Sequence, residues 1–275
     1  MTRRCFVSRV PARAGRVCAF TLVEMLVAFA VALLLLVTLV GVISQSLAVS
    51  RKTNNSLIAF NAAASALDSI ANDLESLAVT GQSFEVLQTV KEDVGAAVGV
   101  TRLMMLSIPS QSHSSSADFG QARAIRYQVL LQDPISAAGS SPVYGLYRSV
   151  VSADDTFATF QGASDLSTPF GSVTASLDDF VAGNIVDFQV QFYPAGNQPA
   201  ANVNAGAVQA VRLSGTSTTV NGAAYAGVLA WAEITLTVLE DNGAKLLQTG
   251  AIDVATAKLR HGHVLTRRVP IRSAL

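Results

Sequence analysis

The sequence predicts an α+β protein: a long N-terminal helix, membrane-spanning in its first half and amphipathic in its second, packed on an antiparallel β-sheet domain. Three observations carry that prediction. Residues 20–43 hold one charged side chain, Glu24, in 24 positions. No proline occurs between Pro11 and Pro109, and Gly41 is the only glycine from Phe20 to Thr80, so nothing breaks a helix over that span. Beyond Gly81 the apolar period changes from 3.6 residues towards 2, the repeat of strands with one covered face.

The first element is a leader, residues 1–19, with five arginines (Arg3, Arg4, Arg9, Arg13, Arg16) and no acid. The chain as a whole has 19 bases and 19 acids, so residues 20–275 carry 14 bases against 19 acids. An acidic body excludes nucleic acid as a partner, because phosphate binding needs a basic face. Arginines directly before an apolar run hold an N-terminus in the cytoplasm and send the rest of the chain outward. Both cysteines, Cys5 and Cys18, lie in this leader, which excludes a disulfide framework and a thiolate metal site from the remainder.

The second element is the apolar run, residues 20–43. As a helix it spans about 36 Å, against about 30 Å of bilayer hydrocarbon. An ordinary secretory signal has an apolar core of roughly 7–15 residues before its cleavage site. Ser46-Leu47-Ala48 has the small residues of such a site, but this run is too long. A plain anchor fits the length and leaves Glu24 unexplained, although an unpaired carboxylate in hydrocarbon costs on the order of 3 kcal/mol.

The third element, residues 44–80, continues the helix with an amphipathic pattern. Leu57, Phe60, Ala64, Leu67, Ile70 or Ala71, Leu74 and Leu77 recur at spacings of three and four and predict the face that packs on the sheet. Asn54, Asn61, Asp68, Asn72, Asp73 and Glu75 fall between them, on the face expected to stay wet. Thr80-Gly81 predicts the stop.

The stretch Ala19-Phe20-Thr21-Leu22-Val23-Glu24-Met25-Leu26-Val27 resembles the prepilin motif of type IV pilins and type II secretion pseudopilins. The resemblance implies cleavage between Ala19 and Phe20 by a prepilin peptidase, with methylation of the new Phe20 amine. It implies a subunit contact formed by the helix from Leu22 to Val42, with Thr21, Leu22 and Glu24 in the assembly motif. Glu24 would pair with the Phe20 amine of a neighbouring subunit, so that an acid costly alone favours assembly. The family has Gly before the cut where this chain has Ala19. Gly41 corresponds to a helix breaker that lets such helices stretch in a filament; a packing glycine in a membrane helix is the other reading. The implied partners are other pilin-like subunits, the peptidase and inner-membrane lipid. The implied location is the bacterial inner membrane, single-pass, with the N-terminus cytoplasmic and the rest periplasmic.

The fourth element, residues 81–275, is the β-rich globular domain. Alternation predicts strands at Ala124–Leu131 (Ile125, Tyr127, Val129 and Leu131 inward), Ile185–Phe192 (Val186, Phe188, Val190 and Phe192 inward) and Ala230–Leu239. Shorter candidates are Leu103–Ile108, Gly145–Val151, Ala207–Leu213 and Val264–Val269. Polar loops are expected at Pro109–Gln121, Ser136–Pro142, Asp154–Ser176 and Pro194–Gly206. Ile125-Arg126-Tyr127, Gly145-Leu146-Tyr147-Arg148 and Trp231–Thr237 closed by Asp241-Asn242-Gly243 resemble the larger minor pseudopilin J class.

Chemistry-bearing residues are few. His261-x-His263 would alternate on a strand and share a metal, but its neighbours Arg260, Arg267 and Arg268 repel a cation, so a solvated strand edge is the reading. Asp154-Asp155 and Asp178-Asp179 are read as turn and cap residues, with calcium left open as the one cofactor. His113 lies in a Ser-rich loop away from any Gly-x-Ser-x-Gly, and Gly95–Gly99 lacks the spacing and lysine of a phosphate loop. No catalytic residue, metal ligand or other cofactor is expected. The function classes left are a non-enzymatic pseudopilin-like assembly subunit, a minor subunit of a type IV pilus, and a membrane-anchored periplasmic ligand-binding module.

Overall fold

A computed structural model describes residues 21–78, 85–108, 122–135, 141–160, 165–171, 173, 175–194, 211–214, 217–220, 223–225 and 229–271. The leader with Ala19 and Phe20, the Thr80-Gly81 stop, His113 with its loop, and most of the Pro194–Gly206 loop lie outside these residues. Helix α1 runs from Leu22 to Glu75, 54 residues. The chain forms two compact units, one ending at Lys52 and the other starting at Thr53.

In the second unit, eleven strands among the described residues make two antiparallel sheets. The larger contains β1 (Glu85–Val94), β2 (Ala97–Ser107), β3 (Arg123–Gln132), β4 (Val143–Val150), β5 (Phe180–Gly183), β7 (Val211–Ser214), β8 (Ser217–Val220) and β9 (Ala223–Tyr225), in the order β5-β4-β3-β2-β1-β7-β8-β9. The smaller has the order β11-β10-β6, from β6 (Ile185–Pro194), β10 (Leu229–Leu239) and β11 (Gly262–Pro270). Strand β6 packs across β2, β3 and β4, with Val186, Phe188, Val190 and Phe192 all buried, as their alternation predicts. The architecture is therefore the expected α+β one, a long N-terminal helix packed on antiparallel sheet, with a second sheet layer beside the helix.

The helix seam follows its smallest side chains. Ala59, Ala63, Ala66, Leu67, Ile70, Ala71, Leu74 and Leu77 are buried. Leu57 and Phe60, expected on this face, are 54% and 48% exposed, and Ala64 is half-buried. Alanine lets the helix backbone come close to the sheet, which a leucine or phenylalanine ridge prevents. The inward face of β3 is Ile125, Tyr127 and Val129; Leu131, expected with them, is partly exposed because it lies at a cavity instead.

Asp73, expected on the wet face, is buried at 5% exposure. Its carboxylate accepts from the Tyr127 hydroxyl at 2.6 Å and from Arg148 through Nε at 2.8 Å and Nη2 at 3.2 Å. The Tyr127 oxygen also meets Ser69 Oγ at 3.0 Å. Tyr127 faces Leu103 on one side and Arg148 on the other in the strand register, so helix, β3 and β4 meet at one polar centre. Burial, then the negative Asp73, push the Tyr127 hydroxyl above its ordinary range, so it remains a donor.

The helix stops at Glu75, ahead of Thr80. Ser76 Oγ bonds back to the carbonyls of Asn72 at 2.8 Å and Asp73 at 3.2 Å, satisfying groups that another turn would use. Leu77 then bridges to Ser107, and Ala78 N–H donates to the Leu106 carbonyl at 2.8 Å. Strand pairing takes over where the sequence pattern is still helical.

Three short helices stand where none is expected. Helix α2 (Ala153–Phe160) takes the start of the expected Asp154–Ser176 loop. Helix α3 (Asp241–Gln248) starts at Asp241-Asn242-Gly243, read as the close of the preceding strand, and α4 (Val254–His261) precedes β11. His261 therefore ends a helix while His263 lies on β11, and the two do not alternate on one strand. On the outer face of the larger sheet, buried Arg126 donates from Nη2 to the Val173 carbonyl at 2.9 Å, 4.9 Å over the Phe170 ring.

Removing the Asp73 carboxylate takes the charged partner from the half-buried Arg148 guanidinium and an acceptor from the buried Tyr127 hydroxyl. Asp73→Ala is expected to cost about 3 kcal/mol. The single tryptophan, Trp231, would report this in urea as a lower midpoint with an unchanged slope.

Candidate functional site

Every residue from Thr21 to Arg51 is exposed in the first unit. Its side chains are apolar all round the helix: Leu26, Phe29, Leu33, Leu36 and Val40 are as open as Leu34 and Val37 on other faces. A helix apolar on every side has no wet face to present to water; it belongs in lipid or between other apolar helices. Among the described residues it is the one helix long and apolar enough to cross a bilayer.

The start of this helix is closed by a reciprocal pair. Thr21 Oγ1 accepts from the Glu24 backbone N–H at 3.3 Å, and Glu24 Oε2 accepts from the Thr21 N–H and the Thr21 hydroxyl, both at 3.0 Å. This is a capping box, Thr-x-x-Glu, in which two helix-end N–H groups find partners inside the chain. The pairing with a neighbour that the prepilin motif implies for Glu24 leaves this local role out, although the Thr21-x-x-Glu24 spacing displays it. Both side-chain bonds end on Oε2. Among the described residues, Oε1 receives none, which leaves half of the carboxylate open to a donor from elsewhere.

Leu22 is the first helical residue and is 80% exposed. Gly41 lies within the unbroken helix, and a Cβ placed on it would meet nothing within 4 Å. No contact inside the chain accounts for glycine there. Ala19 and Phe20 precede the described residues, so the arrangement of the cleavage point is not part of this geometry.

The other candidates are dispersed. Asp155 forms a second capping box with Ser152, which donates to it at 2.7 Å and accepts its N–H at 3.1 Å. Asp179 accepts from the Ser176 N–H at 2.9 Å and Ser149 Oγ at 3.2 Å. Asp155 and Asp179, one from each Asp pair, thus take the cap and turn duties expected of the pairs. His263 Nε2 lies 3.1 Å from Glu240 Oε1, which also accepts from Ser56 Oγ at 2.9 Å. Among the described residues, no three His, Cys, Asp or Glu side chains converge as a metal site requires.

No family profile matches the chain, and no curated protein matches it. Among solved structures, it is similar to a type IV-like pilin from Thermus thermophilus at 10% identity, over 77% of this chain and 95% of that one, with a TM-score of 0.38. A likeness of that size fixes neither fold nor role.

Loss of the cap should register locally. Thr21→Ala is expected to weaken the helix start by about 1 kcal/mol, raising amide hydrogen exchange at Glu24 about fivefold while leaving exchange near Leu33 unchanged.

Proposed function

We propose that the chain is a non-enzymatic pilin-like subunit of the bacterial inner membrane, a minor pseudopilin of the J class. In this reading, prepilin peptidase removes residues 1–19 and the Phe20 amine is methylated. The helix from Leu22 to Val42 then packs beside the same helix of sibling subunits in a secretion pseudopilus or a related filament. The sheet domain lies on the periplasmic side. The one observation that carries this is the half-used Glu24 carboxylate at the head of a helix that is apolar on every face and exposed throughout. Together with the Phe20-Thr21-Leu22-x-Glu24 motif, it supports a segment made to be covered by copies of its own kind.

The energetics agree in direction. Glu24 lies at the end of the apolar run, near the headgroups, where a carboxylate costs less than at the bilayer centre. Oε2 is held by Thr21, and Oε1 gains a charge-assisted bond when a neighbour brings its Phe20 ammonium. Such a bond to a charged group is worth about 1.5–3 kcal/mol. In an uncleaved chain, no ammonium is present at Phe20, so processing and assembly are coupled by one charge.

Glutamine separates the two roles of Glu24. It completes a capping box as glutamate does but carries no charge. With Leu34→Cys as a reporter in the processed helix, which has no cysteine of its own, Glu24→Gln should keep membrane insertion and the amide protection at position 24. It should lower inter-subunit crosslinking at least about tenfold, the equivalent of about 1.4 kcal/mol. Crosslinking equal to that of the parent chain would remove the pairing role.

A further inference from the structure

The globular unit carries a half-open cavity of about 650 Å³, within the usual size of small-molecule sites. It is independent of the apolar helix. Leu131 and Tyr144 line it from β3 and β4, Val186 and Leu239 from β6 and β10, and Leu247 of α3 and Ile252 from the side.

Three positive-φ residues stand at its walls: Gly250 on the lining, φ +70°, Gly95 behind it, and Asn184. Gly95, in the turn between β1 and β2, has φ +57°, and a Cβ there would come within 2.9 Å of both Leu131 Cδ2 and Tyr144 Oη. Asn184, on the lining, has φ 60° and is the one non-glycine with positive φ among the described residues. Its carbonyl accepts from the Leu239 N–H at 2.8 Å. Left-handed backbone at a non-glycine persists only where the surroundings hold it, and such positions gather at ligand sites.

Among the described residues, Asp253 is the one charged side chain on the lining, beside neutral Ser141, Tyr144, Asn184, Gln248 and Thr249. The Tyr144 hydroxyl accepts from the Ala96 N–H at 3.0 Å, so its own hydrogen is free to donate. Asp253 stands exposed at the rim. One of its oxygens accepts from the Thr256 N–H at 3.1 Å, capping α4, and these bonds from Thr256 hold its carboxyl below the ordinary range. Among the described residues, no lysine or arginine lines the cavity. The site therefore offers apolar walls, neutral hydroxyl and amide groups and, among the described residues, one negative charge.

We infer that this cavity binds a small amine with an apolar body. The ring or chain lies among Leu131, Val186 and Leu247, the ammonium sits at the Asp253 rim, and an oxygen of the ligand accepts from Tyr144. Anionic molecules of the same shape meet a carboxylate with no compensating base, so the site selects by charge.

Three near-isosteric probes test the assignment: tyramine, neutral 4-ethylphenol and 3-(4-hydroxyphenyl)propionate. Each is titrated into the full chain in lipid nanodiscs, with methyl NMR shifts of Leu131, Val186, Leu247 and Ile252 as the readout. Tyramine should give saturable shifts at these methyls, bind about tenfold more tightly than 4-ethylphenol, and leave the carboxylate weakest. Asp253→Asn retains the N-cap and removes the charge, so tyramine should fall to the level of 4-ethylphenol while α4 stays folded. No saturable shift with tyramine to about millimolar concentration, equal binding of the carboxylate, or an unaltered tyramine affinity in Asp253→Asn would each overturn the inference.

Discussion

Asp73 is the residue on which the sheet domain's arrangement turns. Its carboxylate, deep in a helix seam made largely of alanine, is bound at once by Tyr127 on β3 and Arg148 on β4. An ion pair placed there contributes little net stability, because taking both charges out of water offsets most of their attraction. What it contributes is register. The apolar seam of Ala59, Ala63, Ala66, Leu67, Ile70, Ala71 and Leu74 packs without directional bonds; a bidentate guanidinium and a hydroxyl aimed at one carboxylate add a directional constraint on register. Shifting the helix by one turn would strip the buried Asp73 carboxylate of its three donors, a cost above that of any single apolar contact.

The same helix carries a second acid in opposite circumstances. Glu24 is held through one oxygen by Thr21, and its other oxygen meets no donor among the described residues, at the head of a segment whose described side chains are all exposed. Among the described residues, Asp73 is completed and Glu24 is not. That contrast comes from surroundings rather than residue type: one acid faces a sheet that supplies three donors, and the other faces only its own helix cap. A chain organised in this way has a finished globular unit and an unfinished apolar one.

Much of this is legible in the residues. The apolar run, the absence of proline, and the period-2 alternation of Val186, Phe188, Val190 and Phe192 fix the helix and the central strands, because burial on one face leaves a direct trace in the pattern. The seam is less legible. Leu57 and Phe60 outrank alanine on any hydrophobicity scale, yet close approach selects the small side chains, and that depends on the partner surface. Asp73 reads as solvent-facing because its partners lie 54 and 75 residues away in sequence. Helix α3 is hidden because Asp241-Asn242-Gly243, read as the close of a strand, is poor in helix formers, and its burial of Gly243 against His261 is a tertiary fact. The Thr21–Glu24 box, by contrast, is present in the sequence and is obscured by the longer motif that shares its residues.

The central claim is that the apolar helix becomes an assembly element once the basic leader is gone. Mass spectrometry of the mature N-terminus tests it most directly, on chain extracted from membranes of cells with and without a prepilin peptidase. The account predicts a start at methylated Phe20 only where the peptidase is present. A chain that keeps residues 1–19 in both samples would contradict it: Phe20 would have no free amine, and the open oxygen of Glu24 would have no ammonium to meet.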